Sequence, residues 1–199
     1  MTGLIAGKGG RAAGRVFRLP LILAVVAGLG LIGHGLFVPV KAAVAQVLLE
    51  RAFDRARDTG RPVKAWPWAD TAPTARISVP RLGVSQIVLA GGSGEALAFG
   101  PTLLPGGAEP GRRGTAVFAA HRDTHFRFLK DLRRDDLIVV ETIAGGRSEF
   151  RVSGGAVVRR DRFGVDRYAS QPSIALTTCW PFDAPERGPW RFIVSARRV

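Results

Sequence analysis

The chain has 199 residues, 46% of them hydrophobic and 23% charged, which gives room for one domain of ordinary size with accessory segments and excludes a disordered polymer. Its 29 Lys and Arg against 16 Asp and Glu give a formal net charge of +13, a balance that suits an anionic partner. Outside the N-terminus, however, the basic residues fall in pairs (Arg112-Arg113, Arg133-Arg134, Arg159-Arg160, Arg197-Arg198) rather than blocks, and no zinc-finger, KH or RNP pattern accompanies them, so nucleic-acid binding is set aside.

Residues 1–18 are glycine-rich and carry Lys8, Arg11, Arg15 and Arg18 with no acid, as a basic cytoplasmic tail would. Leu19 to Val40 then runs for 22 residues without Lys, Arg, Asp or Glu. At ~1.5 Å per residue this predicts a transmembrane helix across a hydrocarbon layer of about 30 Å. The basic flank before it predicts an N-terminus in the cytoplasm and everything after Val40 outside. Ala43-Val44-Ala45 offers an A-x-A-like cleavage site, yet the apolar run exceeds the roughly 7–15 residues of a signal-peptide core, so an uncleaved anchor is the reading. His34, inside the span without an acidic partner, is read as a neutral, incidental side chain.

Ala45, Leu48, Leu49, Ala52, Phe53 and Ala56 recur at helical spacing, with Glu50, Arg51, Asp54, Arg55 and Arg57 on the other face, which predicts an amphipathic helix ending near Gly60. Residues 41–69 are accordingly expected to form a helical stalk and linker. Pro62 and Pro67 stop the helix from continuing, and Trp66 and Trp68 are expected to cover the domain that follows.

From about Asp70 to Val199 the pattern is all-β. Candidate strands are Ala75–Val79, Val84–Leu89, Thr115–Ala120, Leu137–Thr142, Ser148–Ser153, Ala156–Arg160, Ile174–Thr178 and Arg191–Ala196, most of them separated by Gly- or Pro-containing turns. Short strands at this spacing predict a closed barrel or a sandwich. Single helical turns are expected at Glu95–Gly100 and Phe126–Leu132. A chain beginning near Asp70 is expected to fold by itself and stay soluble.

The residues able to carry chemistry are few. Thr115 to Ala120 is an apolar strand emptying into His121, and Ile174 to Thr178 is another ending at Cys179, the only cysteine, where Trp180-Pro181 stops the ladder. A lone cysteine cannot form an internal disulfide. After a loop rich in Pro and Gly, Arg191 opens the last strand, so Cys and Arg can face each other across a short connection. A cysteine thiolate can attack a carbonyl, a histidine can hold and deliver the proton, and an arginine can stabilise the developing oxyanion. The plainer reading is a core thiol and a surface arginine. A rival is a metal-dependent hydrolase with His121, Asp123 and His125, joined by Cys179, as zinc ligands, although an H-x-D-x-H run at a strand end fixes no ligand geometry. Another is a non-catalytic, membrane-tethered β-domain that binds partner proteins. Asp123 either orients His121 or caps the turn after it, and His125 reads as a neighbouring or rim residue.

Leu176-Thr-Thr-Cys179-Trp-Pro, with Ala-His121-Arg-Asp-Thr-His-Phe upstream and Gly188-Pro-Trp-Arg191-Phe downstream, resembles the sortase family, the cysteine transpeptidases of bacterial surfaces. Trp66-Pro-Trp-Ala-Asp70 and Pro80-Arg-Leu-Gly83 resemble the Gram-negative (marine proteobacterial, class GN) members. The resemblance implies an eight-stranded β-barrel with short helices over residues 70–199, here preceded by the transmembrane and stalk helices. It implies Cys179 as nucleophile, His121 as general acid/base and Arg191 as substrate and oxyanion stabiliser; Asp123, Thr178 and His125 are expected in support, and neither cofactor nor metal is expected. The implied partners are a secreted protein bearing a Leu-Pro-x-Thr-Gly-like signal near its C-terminus and an amine acceptor. The implied location is the inner membrane, through Leu19 to Val40, with the catalytic domain in the periplasm. The L,D-transpeptidases, a second cysteine class, place their nucleophile in a Ser-x-Gly-Cys-type motif that is absent. Two departures from the sortase pattern stand out. Ala175 replaces a common Thr, and Ala120 stands where Gly commonly precedes the histidine, which puts substrate preference in question if its methyl group narrows the groove.

Overall fold

The structure, a computed structural model, describes Leu21, Ala24, Val25, Gly28 and Leu31, residues 43–162 and 164–184, Glu186 and residues 188–199. The chain divides into two units, Met1–Val44 and Ala45–Val199. In the first, the five described residues before Ala43 are each helical. The rest of the predicted span Leu19–Val40, with His34, and the basic tail 1–18 lie outside the described residues. Among the described residues no helix is long and apolar enough to cross a membrane.

The second unit is a closed barrel of eight strands. In chain order these are β1 (Pro73–Val79), β2 (Val84–Ala90), β3 (Thr102–Leu103), β4 (Gly114–Ala119), β5 (Leu137–Thr142), β6 (Arg147–Arg159), β7 (Pro172–Cys179) and β8 (Trp190–Arg198). Around the barrel they run β1-β2-β3-β4-β7-β8-β6-β5. The neighbours are antiparallel except β2 with β3 and β4 with β7, which are parallel. Strict alternation makes β1: Ala75, Ile77 and Val79 are buried and Arg76 and Ser78 face out. In β4 and β7 nearly every residue is buried, as befits a parallel pair covered on both faces. The interior is filled by Ile77, Val88, Phe118, Ile138, Val140, Phe150, Leu176 and Val194, with Phe126 and Leu129 from the segment after β4 closing one end.

The expected count of eight strands is met by a different set. Ser148–Ser153 and Ala156–Arg160 are halves of the one long strand β6, because Gly154-Gly155, which reads as a turn, instead forms a bulge where the pairing with β8 shifts register. A side chain at Gly155 would bring its Cβ to 2.9 Å from the ring of Phe192, so the bulge keeps that position bare. Strand β3 was absent from the sequence reading, since two residues carry no periodicity. The expected helical turns are present as helix α2 (Gly94–Phe99), capped by the Ser93 hydroxyl accepting from the Ala96 N–H, and as a 3₁₀ turn at Arg127–Asp131. (Helix α1 covers residues 43–59.)

Helix α1 ends at Gly60, whose φ of +66° suits a residue without Cβ. Its apolar stripe lies on the barrel rather than standing apart as a stalk. Leu49 and Phe53 pack on the outward-facing Ile87 and Leu89 of β2 and on Ala96 of α2, with Trp66 and Phe99 alongside. Arg76 of β1 stacks its guanidinium over the Phe53 ring at 4.5 Å and bonds Glu50 at 2.5 Å and Asp54 at 3.3 Å, while Gln46 donates to the Phe99 carbonyl at 2.8 Å. Trp66 meets Phe99 edge-on at 4.9 Å, as a tryptophan covering the domain should, but Trp68 is 78% exposed. A boundary at Asp70 therefore cuts through one apolar cluster. The physical reason is that a helical stripe ending in Phe53 needs a partner in water, and β2 presents one on the outside of the barrel.

Two expectations follow for stability. A chain beginning at Asp70 will expose Ile87 and Leu89 and show a lower urea midpoint and more dye-binding apolar surface than one beginning at residue 43, and Phe53→Ala in the longer chain will cost about 3–5 kcal/mol; equal midpoints for the two lengths would refute the role given to α1. The second concerns Arg81, just after β1, whose guanidinium grips buried Asp136 at 2.5 and 2.7 Å. That bond, then the Arg133 N–H at 2.7 Å, holds the Asp136 carboxyl below its ordinary pKa against the opposing effect of burial. A carboxyl whose folded pKa is depressed stabilises the fold above the unfolded value of about 3.9 and loses that contribution as pH falls through the folded value. The stability gap between wild type and Asp136→Asn should thus be full at neutral pH and shrink below about pH 4; a gap independent of pH would exclude this linkage.

Candidate active site

The site grows from the register of three strands. β4 and β7 run side by side in parallel, with Ala119 opposite Thr177 as the last pair. The pairing is carried one step further by the Ala120 N–H donating to the Thr177 carbonyl at 3.3 Å and by the buried Thr178 hydroxyl donating to the Ala120 carbonyl at 2.8 Å. The next residue on each strand is His121 and Cys179, which leave the barrel at the same end. Because the pairing is parallel, two residues 58 positions apart arrive together without a turn between them.

β8 returns antiparallel to β7 and places Arg191 directly opposite Cys179. Directly opposed residues share a face of the sheet with Cβ atoms ~4.5–5.5 Å apart. Cys179 is half-buried and free, and Arg191 is half-buried too. One nitrogen of its guanidinium, Nη1, donates to the carbonyls of Gly188 at 3.0 Å and Trp190 at 2.8 Å. That leaves Nε–H and the Nη2 donors unspent on those carbonyls. Behind the pair, Trp180, Phe182 and Phe192 form an aromatic cluster with ring centroids 5.5–5.7 Å apart, and Phe182 and Phe192 continue into the barrel core.

The structure places His121, Cys179 and Arg191 at one end of the barrel, and the supporting residues take different positions. Thr178 faces the interior and locks β7 to β4. His125 reaches β2, where its Nδ1 lies 3.0 Å from the side-chain amide of Gln86. Burial first, and then neighbouring His121, hold the His125 imidazole below its ordinary pKa, while the Ala98 carbonyl works the other way. Asp123 is exposed, and among the described residues it makes no hydrogen bond or ion pair to His121. Among the described residues no three His, Cys, Asp or Glu side chains are grouped to hold a metal ion. The Ala120 methyl, expected to crowd the groove, is buried in the barrel core, and Ala175 is buried as well.

Two residues were missed in the sequence. Gln86 sits in an ordinary-looking strand and shows its importance only through His125. Arg122, next to His121, reaches across to the loop between β7 and β8, where its Nη2 donates to the carbonyls of Ala184 and of Glu186, the latter at 2.9 Å. Its Nη1 is buried without a partner among the described residues. A contact spanning 62 positions leaves no local signal.

The site is open. His121 is exposed, and a shallow trough of about 280 Å³, lined by Ala156, Val158 and Ile193, runs along the outer face of β6 and β8 beside Arg191. The larger cavity, about 580 Å³ and lined by Thr74, Arg112, Arg147 and Arg198, is at the far end of the barrel and takes no part in this chemistry. A thiol, an imidazole and a guanidinium at one open strand end supply a nucleophile, a proton carrier and a set of directed donors.

Residues 77–199 match the family model of the sortase domain. Over 124 residues the chain is 23% identical to Sortase D of Bacillus subtilis (strain 168), a match that covers 62% of this chain and 62% of that protein, so the chain spans less than two thirds of that relative. Sortase A from Corynebacterium diphtheriae superposes with a TM-score of 0.60 at 25% identity, over 66% of this chain and 63% of that one. A Sortase D5 transpeptidase of Clostridium perfringens shares the fold with a TM-score of 0.62 at 19% identity, over 79% of this chain and 99% of that one.

Proposed function

The chain belongs to the sortase family, and from that membership we propose that it is a cysteine transpeptidase working through Cys179, His121 and Arg191. The observation that carries the proposal is the direct opposition of Cys179 and Arg191 across β7 and β8, at the strand end where His121 also emerges. The substrate class is a secreted protein with a Leu-Pro-x-Thr-Gly-like signal near its C-terminus. The Cys179 thiolate attacks the signal's backbone carbonyl, forming the S–C bond of a tetrahedral intermediate whose oxyanion receives hydrogen bonds from the Arg191 donors not spent on its own loop. As the intermediate collapses the C–N bond breaks, and His121 delivers a proton to the departing amine. A thioacyl-enzyme remains. An acceptor amine attacks it and gives its proton to His121, the thiolate leaves, and a new amide is released. Arginine stays protonated at any working pH, so its part is to direct hydrogen bonds and not to carry protons.

The Gram-negative assignment rests on the Trp66 to Asp70 and Pro80 to Gly83 segments. In the structure the first supplies Trp66 to the α1 cluster, and the second forms the 3₁₀ turn capped by Gly83 with Arg81 on Asp136. The apolar run Leu19 to Val40 behind a basic tail supports a single-pass anchor in the inner membrane with the barrel in the periplasm.

Incubated with sorting-signal peptides, the protein should gain a thioacyl adduct on Cys179 detectable by mass spectrometry. Cys179→Ala should abolish it, and Arg191→Lys, which keeps charge but loses the planar fork, should slow it by about 10²–10³. His121→Ala should be at least as damaging. No adduct on the wild type would withdraw the activity, and a folded Arg191→Lys with near-normal acylation would remove Arg191 from the mechanism. For the anchor, protease added to spheroplasts should digest the barrel while a cytoplasmic marker survives; survival of both would reverse the topology.

A further inference from the structure

We propose that Arg122 is a positioning residue that clamps the loop between β7 and β8 and, through that loop, sets the guanidinium of Arg191 against Cys179. The inference rests on the acyl-transfer reading above. The loop runs from Trp180 to Pro189, so Cys179 stands immediately before it and Arg191 just beyond it. Its carbonyls receive two guanidinium groups. From the β4 side, Arg122 Nη2 donates to Ala184 and Glu186. From the β8 side, Arg191 Nη1 donates to Gly188 of the loop and to Trp190, its own neighbour in β8. Arg122 is covalently next to His121, and its guanidinium spends its hydrogen bonds on the loop. It holds Ala184 and Glu186, and Arg191 grips Gly188 further along the same loop. Among the described residues the loop's other supports are the Trp180 N–H on the Trp190 carbonyl at 3.1 Å, the Arg160 N–H on the Pro189 carbonyl at 2.8 Å and the aromatic cluster around Phe182, all of which secure its base rather than its crown. A connection of this kind keeps one shape only if its carbonyls are held, and charge-assisted hydrogen bonds are the strong means of holding them. The histidine arm and the arginine arm of the site are thereby tied through one loop.

The test uses the full chain with Arg122→Ala, Arg122→Lys, Arg191→Ala and the Arg122→Ala/Arg191→Ala double variant. Hydrogen exchange in peptides spanning residues 181–192 should quicken in Arg122→Ala with the thermal midpoint unchanged, and Arg122→Lys, retaining one donor, should restore part of the protection. Acylation of Cys179 by a sorting-signal peptide should slow by roughly 10–100-fold in Arg122→Ala, the scale set by losing hydrogen bonds to a charged group. The loss should fall on the acylation rate and not on peptide affinity. The double variant should be no slower than Arg191→Ala alone, since a positioning effect vanishes once the positioned group is gone. Unchanged exchange in 181–192 overturns the clamp, and slowdowns that multiply in the double variant overturn its action through Arg191. If the wild type forms no adduct, the acyl-transfer reading fails by itself, and the exchange measurement still decides whether Arg122 holds the loop. Should Arg122→Ala not fold, Arg122→Lys carries the same comparisons.

Discussion

The parallel pairing of β4 and β7 is the constraint from which the site is built. Parallel neighbours cannot be joined by a hairpin, so the chain leaves β4 at His121, completes β5 and β6, and returns to β7 from the opposite end of the barrel. Both strands are buried on both faces, which fixes their register firmly: a slip of one residue would drive Thr178 out of the interior and turn Cys179 inward. The Thr178 hydroxyl on the Ala120 carbonyl is the last rung before the reactive residues, and it is buried, so its loss would leave an unpaired carbonyl at the place where alignment matters most. Arg191 depends on the same register at one remove, because β8 is positioned by β7.

The legibility of the sequence follows from the range of the interactions involved. Cys179 and His121 were readable because each ends an apolar run at a residue type with its own chemistry, and Pro181 marks the stop. Arg191 was readable as the first charged residue of a strand after a Gly-Pro turn. The strands themselves follow alternation and β-branched runs, as β5 does with the same limits in sequence and structure. The failures share a cause too. Gly154-Gly155 has the composition of a turn, and only the pressure of Phe192 from the neighbouring strand shows that it is a bulge within β6. The two residues of β3 carry no period. Arg122, Gln86 and the barrel face beneath Phe53 act over tens of residues, and no local pattern announces such partners.

Helix α1 illustrates how a local reading leaves the tertiary partner open. Its amphipathic stripe was plain, and a stripe demands a partner, but a sequence does not say whether the partner is another helix, a membrane surface or the outside of a barrel. The barrel supplies Ile87 and Leu89 because β2 is apolar on both faces, with Val88 inside and its neighbours outside. Arg76 then closes the joint by joining the acids of α1 to β1 and, at 3.8 Å, to Glu141 of β5. The three-strand arc opposite the reactive end is thus braced by a helix that belongs to the same folding unit.

Closure of the barrel limits how a polypeptide can be read here. β7 has a ladder partner on each side, β4 and β8, over its length. The edge of β4 turned away from β7 is taken up by β3 and then by the Leu104 and Ala108 N–H groups, which donate to the carbonyls of Val117 and Thr115 at 2.8 and 3.0 Å. No run of main-chain donors and acceptors on these strands remains for an incoming extended chain to join as an extra strand. Under the proposed function a peptide laid over Cys179 would have to be distinguished by its side chains and by the loops that border it, so that discrimination would turn on particular residues and not on the β-propensity of whatever surrounds them. On β4 and β7 the same pairing leaves identical copies no edge along which to stack.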